Sequence, residues 1–443
     1  MDLTRNSQAA RTLISVSIAV LGYLINYFLN LFVAKHTAPH FYGDFSVAVR
    51  VLLIVTTLTM LGTDISTKRF LSKYVTDNDY KKAANFMHWN LKLVRVTFII
   101  CLVVALVSVA IVLIFDHMGI HPMDKYHMAL YFLWVAPLAA LALLLVSYMM
   151  CHQHFIVATA FANLARYGFL FAYLVVAVYL FDDTLDSMTL LWGFMAVMFV
   201  IIILQIAFMR WRVPRLFSSA LWALSNLKNK SGDPSRQEWL KTSIRLIVNG
   251  AVYVLIGSMD LIILEIFHPA EADVGHYAAL LTIVGITWVV PAASFDLLRT
   301  KISSLIDSPR ELQACVTTSI GVAAAITLVL ISIIAAMGKI LLSHFGPSYV
   351  SVYDALLVVL AGCFIGVMGS ASTILLAFSG CELKMLIVTL GEFVVFAVLG
   401  SVLAYYYGVM GMAIATLLAI SLKVIAMVVL AKRMLSVKPL VLF

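Results

Sequence analysis

Thr97–Phe115 reads TFIICLVVALVSVAIVLIF, nineteen residues without a charge, a proline or a glycine. As a helix rising 1.5 Å per residue this run is about 28 Å long, close to the roughly 30 Å hydrocarbon core of a bilayer. It lies inside an apolar segment at 91–115, and eleven more such segments follow or precede it. They sit near 13–33, 46–63, 127–150, 156–180, 188–209, 243–267, 277–298, 314–337, 354–378, 384–404 and 409–431. A lipid-exposed span must satisfy its own backbone, which leaves only helices and closed barrels. Barrel strands are about ten residues long and alternate in polarity, whereas these segments are longer and uniformly apolar. The sequence therefore predicts an all-α polytopic membrane protein with twelve spans.

Composition agrees. The chain has 443 residues, 63% of them hydrophobic and 12% charged, and its mean hydropathy is +1.03. Soluble domains carry about 25% charged residues. The net charge of +8 would suggest nucleic acid in a soluble protein. Here the charges sit in short connections, so topology accounts for them and no nucleic-acid partner is expected. With twelve spans the connections alternate sides, and 24 of the 30 basic residues fall on one side, Lys68, Arg69, Arg210, Arg212, Lys432 and Arg433 among them. Only Lys35, Lys125 and Lys339 fall on the other. The positive-inside rule then places both termini in the cytoplasm of a cell inner membrane. The start of the chain lacks a clear cleavage site and is not expected to be a removed signal peptide. The five cysteines form no metal-ligand spacing and read as packing residues.

The longest basic connection, 210–242, contains Ser231-Gly232-Asp233-Pro234, a turn signal. It divides the chain into a six-helix bundle at 1–209 and another at 243–443. Its stretch 216–229 reads equally as an interfacial amphipathic helix or as a linker. The halves repeat weakly. Phe41-Tyr42-Gly43-Asp44-Phe45 enters the second span and Asp273-Val274-Gly275-His276-Tyr277 enters the eighth. Placing Gly43 on Gly275 also places Asp64 on Asp296 without a gap. Six helices per half keep the same orientation, so the repeats are parallel, a plan that puts a transport site between halves.

These motifs resemble the polysaccharide export proteins that flip lipid-linked oligosaccharides, within the multidrug/oligosaccharidyl-lipid/polysaccharide exporter superfamily. The likeness rests on Gly22-Tyr23-Leu24-Ile25-Asn26-Tyr27 with Tyr42-Gly43-Asp44-Phe45-Ser46, and on Leu61-Gly62-Thr63-Asp64. It continues in Met259-Asp260-Leu261-Ile262, Phe345-Gly346-Pro347-Ser348-Tyr349 and Gly408-Val409-Met410-Gly411. The resemblance implies two six-helix bundles that carry a lipid-linked saccharide through a central cavity by alternating access. It also implies coupling to a proton or sodium gradient, with no bound cofactor. The partners it implies are the lipid-linked oligosaccharide, membrane lipids, and glycosyltransferases or a polymerase of the same pathway.

Charge inside a span is costly and marks a cavity or an ion pair. Arg50 in the second span and Arg166 in the fifth are candidates to hold a lipid pyrophosphate, because a guanidinium fork binds phosphate bidentately. Snorkelling or an ion pair would serve equally for Arg50. Asp260 and Glu392 are candidates for ion coupling or for buried pairs, with Lys423, Arg166 and Arg245 as partners, and Asp64 and Asp296 join that set at the ends of spans two and eight. Asn26, Asn30 and Asn249 could bind sugar hydroxyls or join helices. Tyr27 could stack on a sugar ring. Pro137 and Pro291 are expected to kink the fourth and eighth spans. His152 and His154 lack further ligands, so no metal site is expected.

No phosphate-binding loop and no hydrolase motif occurs, so this is read as a transporter and not as an enzyme. The expected function is flipping of a polyprenyl-pyrophosphate-linked oligosaccharide, for lipopolysaccharide or capsule export. The alternative is an ion-coupled multidrug exporter, whose cavity should be acidic and aromatic. A third reading is a membrane scaffold that recruits envelope enzymes through 210–242.

Overall fold

The computed structural model describes residues 2–118, 127–180, 185–213, 235–268, 270–289, 295, 309–378 and 381–434. Among the described residues, ten helices are long and apolar enough to cross a membrane. One of these, Leu383–Met434, is two spans, because Gly408 at φ 55° and ψ −131° breaks the helix between them. Ala136–Cys151 is a further, shorter apolar helix. Together these make the twelve spans read from the sequence, and no strand occurs among the described residues. The third span shows what the apolar run does in place: Ile99, Ile100, Val103, Leu106 and Leu113 are exposed along its length, as lipid-facing side chains are.

Helix ends differ from the hydropathy boundaries where polar turns continue the helix. The helix of the third span runs Tyr80–His117 and that of the seventh runs Ser235–Phe267. The second is Pro39–Met60, and Leu61 and Gly62 end it with left-handed φ values of 47° and 70°. A separate helix, Thr63–Thr76, follows where a loop was expected. Its buried face is Thr63, Ser66, Thr67, Phe70 and Leu71, spaced three and four apart as a helix requires. The fourth span is interrupted: His127–Phe132 gives way to a turn before Ala136–Cys151. Pro137 sits in the first turn of the new helix, where a missing N–H costs nothing. Pro291 and the end of the eighth span lie outside the described residues, as does 214–234, which holds most of the expected linker.

The chain forms two compact units. The first comprises Met1–Leu29 and Val47–Val254, the second Asn30–Ser46 and Leu255–Phe443. Residues 30–46 go with the second unit, and the start of the seventh helix goes with the first. The placement of the seventh helix has a visible cause. Trp239, fully buried, donates from Nε1 to the Tyr74 hydroxyl at 3.1 Å and meets the Phe86 ring edge-on at 5.2 Å. One turn on, Ser243 donates to the Ser66 hydroxyl at 2.8 Å. The charged residues around Trp239 hide this helix from a hydropathy reading, while its aromatic face holds it in the first unit.

In the second unit Tyr42, Phe345 and Tyr349 form a ring cluster with centroids 5.9–6.4 Å apart. Gly43 lies beside them, in backbone contact with Gly275. A Cβ on Gly275 would stand 1.9 Å from the Pro39 carbonyl oxygen, and one on Gly43 would stand 2.9 Å from the Gly275 nitrogen. Only glycine permits that approach.

Candidate functional site

Arg166 is the first residue after an irregular turn. The fifth span, Phe155–Leu180, is α-helical except at Ala160–Ala165, which forms a π-helical turn. Such turns are rare and concentrate at functional sites. The turn lies against the first span: a Cβ on Gly22 would fall 2.7 Å from the Asn163 carbonyl oxygen.

Three helix faces converge beside this turn in the first unit and line a small, partly open cleft of about 20 Å³. Ala139, Ala142 and Val146 of the fourth span recur at helical spacing, as do Met198, Ile201 and Gln205 of the sixth. Phe161, Ala162 and Arg166 complete the wall from the fifth. Arg166 lies with its guanidinium 4.5 Å from the centre of the Tyr167 ring and donates to the Tyr167 hydroxyl. Those contacts leave most of its five donors available, and it carries the one formal charge among the residues lining the cleft.

Gln205 was not singled out from the sequence. It is 1% exposed, and neither its Oε1 nor its Nε2 has a hydrogen-bond partner. An isolated amide in Phe199–Phe208, FVIIILQIAF, is the signal that could have found it, since a polar residue inside a span is a site by default.

The other expected residues distribute as follows. Glu392 and Lys423, on spans eleven and twelve, form an ion pair at 2.9 Å, with the Glu392 side chain 3% exposed. Asp260 is buried, and its Oδ1 accepts from the Leu261 N–H at 2.8 Å. Asn30 accepts from the Tyr42 hydroxyl at 3.2 Å, and that hydroxyl also lies 3.3 Å from Thr282 Oγ1. This is the helix-joining use of an intramembrane amide. Arg50, Asp64, Asn26 and Tyr27 are half-buried and none of them lines the Arg166 cleft. The side chain of Asn249, that of Arg245 and the whole of Asp296 lie outside the described residues.

Two further features escaped the sequence reading. Asp273 is gripped by two histidines, His268 Nε2 at 2.8 Å and His276 Nδ1 at 3.5 Å, and His276 Nε2 reaches Ser348 Oγ at 3.2 Å. Glu265, 2% exposed, is a third buried carboxylate beside Asp260 and Glu392. Each hid in a motif whose recognisable part was a neighbour: His276 follows Gly275, and Glu265 follows the Asp260 stretch. No group of three metal-type ligands occurs among the described residues.

No protein-family model and no curated protein sequence matches the chain. Solved structures do. An inward-facing multidrug resistance MATE family transporter of the MOP superfamily matches with a TM-score of 0.75 at 16% identity, covering 95% of this chain and 97% of its own. An outward-facing conformation of such a transporter matches at 0.66 and 14%, covering 96% and 95%. A MOP superfamily transporter from Pyrococcus furiosus, described as having a binding pocket of reverse polarity that suggests a different function, matches at 0.66 and 14%, covering 96% and 93%. At these identities the likeness is one of fold, and it spans nearly the whole chain: this is the twelve-helix fold of the MATE transporters of the MOP superfamily.

Proposed function

We propose that this chain is a membrane transporter that works by alternating access and engages its cargo at the Arg166 cleft. Its fold matches transporters described in both inward-facing and outward-facing conformations, which supports the mechanism. Of the two cargo classes that the sequence suggests, multidrug export has the better support, because matched structures are described as multidrug resistance transporters. A second reading, flipping of a polyprenyl-pyrophosphate-linked oligosaccharide, is favoured by one observation. The cleft is lined by a guanidinium and by no carboxylate, which suits an anionic group and repels an organic cation. An exporter built on this cleft would accordingly carry amphipathic molecules with an anionic or hydroxylated head.

The experiment is transport in proteoliposomes. The cargoes are ethidium and a short-chain prenyl-pyrophosphate-linked sugar, each with and without a proton or sodium gradient. Movement of the prenyl-linked sugar supports the second reading, and movement of ethidium alone supports export of cations. Movement of neither cargo under any gradient overturns the proposal.

A further inference from the structure

Gln205 is 1% exposed within the sixth span, and neither its Oε1 nor its Nε2 meets a donor or acceptor of the protein. Leaving both ends of a buried amide unmade is costly. The residue lines the same cleft as Arg166, and that cleft has about 20 Å³ of room for the centre of a water-sized sphere. On this measure a single water needs about 10–15 Å³, together with two to four polar partners. One water fits, and nothing much larger does.

Chemistry chooses among occupants of that size. A sodium or ammonium ion would face the like charge of the guanidinium. A halide could accept from Arg166 and from Nε2, but it offers no proton to Oε1, which only accepts. Water does both. In a primary amide the carbonyl oxygen and one N–H point the same way, so one water can accept from Nε2 while it donates to Oε1. Its second lone pair can accept from the guanidinium, which has five N–H donors and a printed bond only to the Tyr167 hydroxyl. That makes about three hydrogen bonds, the usual number for a buried water. Ala139, Ala142, Val146, Met198 and Ile201 supply apolar side chains around it.

We propose that the cleft is a binding site for one internal water shared by Gln205 and Arg166. The water joins the sixth span to the fifth at the end of the π-helical turn, and through it Gln205 acts as a positioning residue for the guanidinium. The site lies within the first unit and is independent of which cargo the chain carries.

The test is X-ray radiolytic oxidation of the full-length chain in lipid nanodiscs, read at each methionine by mass spectrometry. Radicals formed at a bound water oxidise neighbours that bulk solvent does not reach. Met198 lines the cleft and is 2% exposed. Met427, 1% exposed in an apolar cluster with Leu376, Cys381 and Ala431, is the dry control. Met198 is expected to oxidise severalfold faster than Met427. Gln205→Leu enlarges the space but makes it more apolar, and apolar cavities stay dry, so oxidation of Met198 should fall to the Met427 level. A cleft that merely admits solvent would show the opposite change. Gln205→Leu should also lower the melting temperature, and by less in an Arg166→Leu background, because the two side chains share one water. Equal oxidation of Met198 and Met427 in the wild type, no fall in Gln205→Leu, or additive melting shifts would overturn the proposal. So would a melting temperature that rises with chloride over gluconate at constant ionic strength in the wild type but not in Gln205→Leu, which would assign the site to a halide.

Discussion

Gly43 and Gly275, the two positions that the internal repeat places on one another, touch. The approach is so close that a Cβ on Gly275 would stand 1.9 Å from the Pro39 carbonyl oxygen. Self-contact of equivalent positions gives the weak repeat a physical content: the repeated residue is glycine because each copy must admit the other's backbone. Gly275→Ala is expected to disrupt the second unit, with a loss of about 3 kcal/mol, the upper end of the usual cost of overpacking in a close-packed interior. Gly43→Ala, whose Cβ would meet atoms at 2.9 Å and beyond, should cost less. Thermal melting of the two variants in detergent checks the order; equal melting of Gly275→Ala and wild type contradicts the contact.

The Glu392–Lys423 pair predicts a pattern of a different kind. Glu392 has its side chain 3% exposed and Lys423 lies 2.9 Å away. Lys423→Met strands a buried carboxylate and should cost about 3–5 kcal/mol, while Glu392→Leu with Lys423→Met should recover most of that loss. A double-mutant cycle read by melting temperature reports the coupling. Additive single effects would show that the pair contributes nothing as a pair.

At the π-helical turn, Gly22 faces the Asn163 carbonyl at 2.7 Å from a built Cβ. Gly22→Val should push the turn away from the first span and lower transport without lowering the amount of folded protein by the same factor. Parallel measurement of flux and of monodisperse protein checks this. Unchanged flux would mean that the turn has no part in the cargo site.

His152 lies in the short connection after Cys151, and burial first, with His154 second, holds its pKa down to about 4. An unfolded histidine titrates near 6.5. The unfolded chain therefore binds the extra proton between those values, so this histidine's contribution to stability falls as pH drops from about 6.5 towards 4. Replacing it with glutamine should flatten the dependence of melting temperature on pH in that window. A slope as steep in His152→Gln as in wild type would assign the acid sensitivity elsewhere.

What the sequence made legible was set by periodicity and length. Twelve spans, and the break at Gly408 between the last two, follow from apolar runs that only a bilayer explains. Hydropathy averages Trp239 with Arg236, Glu238 and Lys241 and so assigns it to the connection, although a single aromatic face decides where that helix packs. The charges of Thr63–Thr76 hide that helix in the same way. Arg166 stood out because a charge is conspicuous in a span; Gln205, uncharged, did not, and its meaning depends on two other helices closing around it. In the sequence Asn30 fits a sugar ligand or a helix joint, and only the position of Tyr42 identifies the joint.

The most direct measurement of the central claim is flux through Arg166→Ala in proteoliposomes loaded with a short-chain prenyl-pyrophosphate-linked sugar, normalised to folded protein. Loss of one charge-assisted contact of about 1.5–3 kcal/mol predicts at least a tenfold fall in uptake at low cargo concentration, with abundance in the membrane unchanged. Flux equal to wild type would contradict the assignment of the Arg166 cleft as the place where cargo is held.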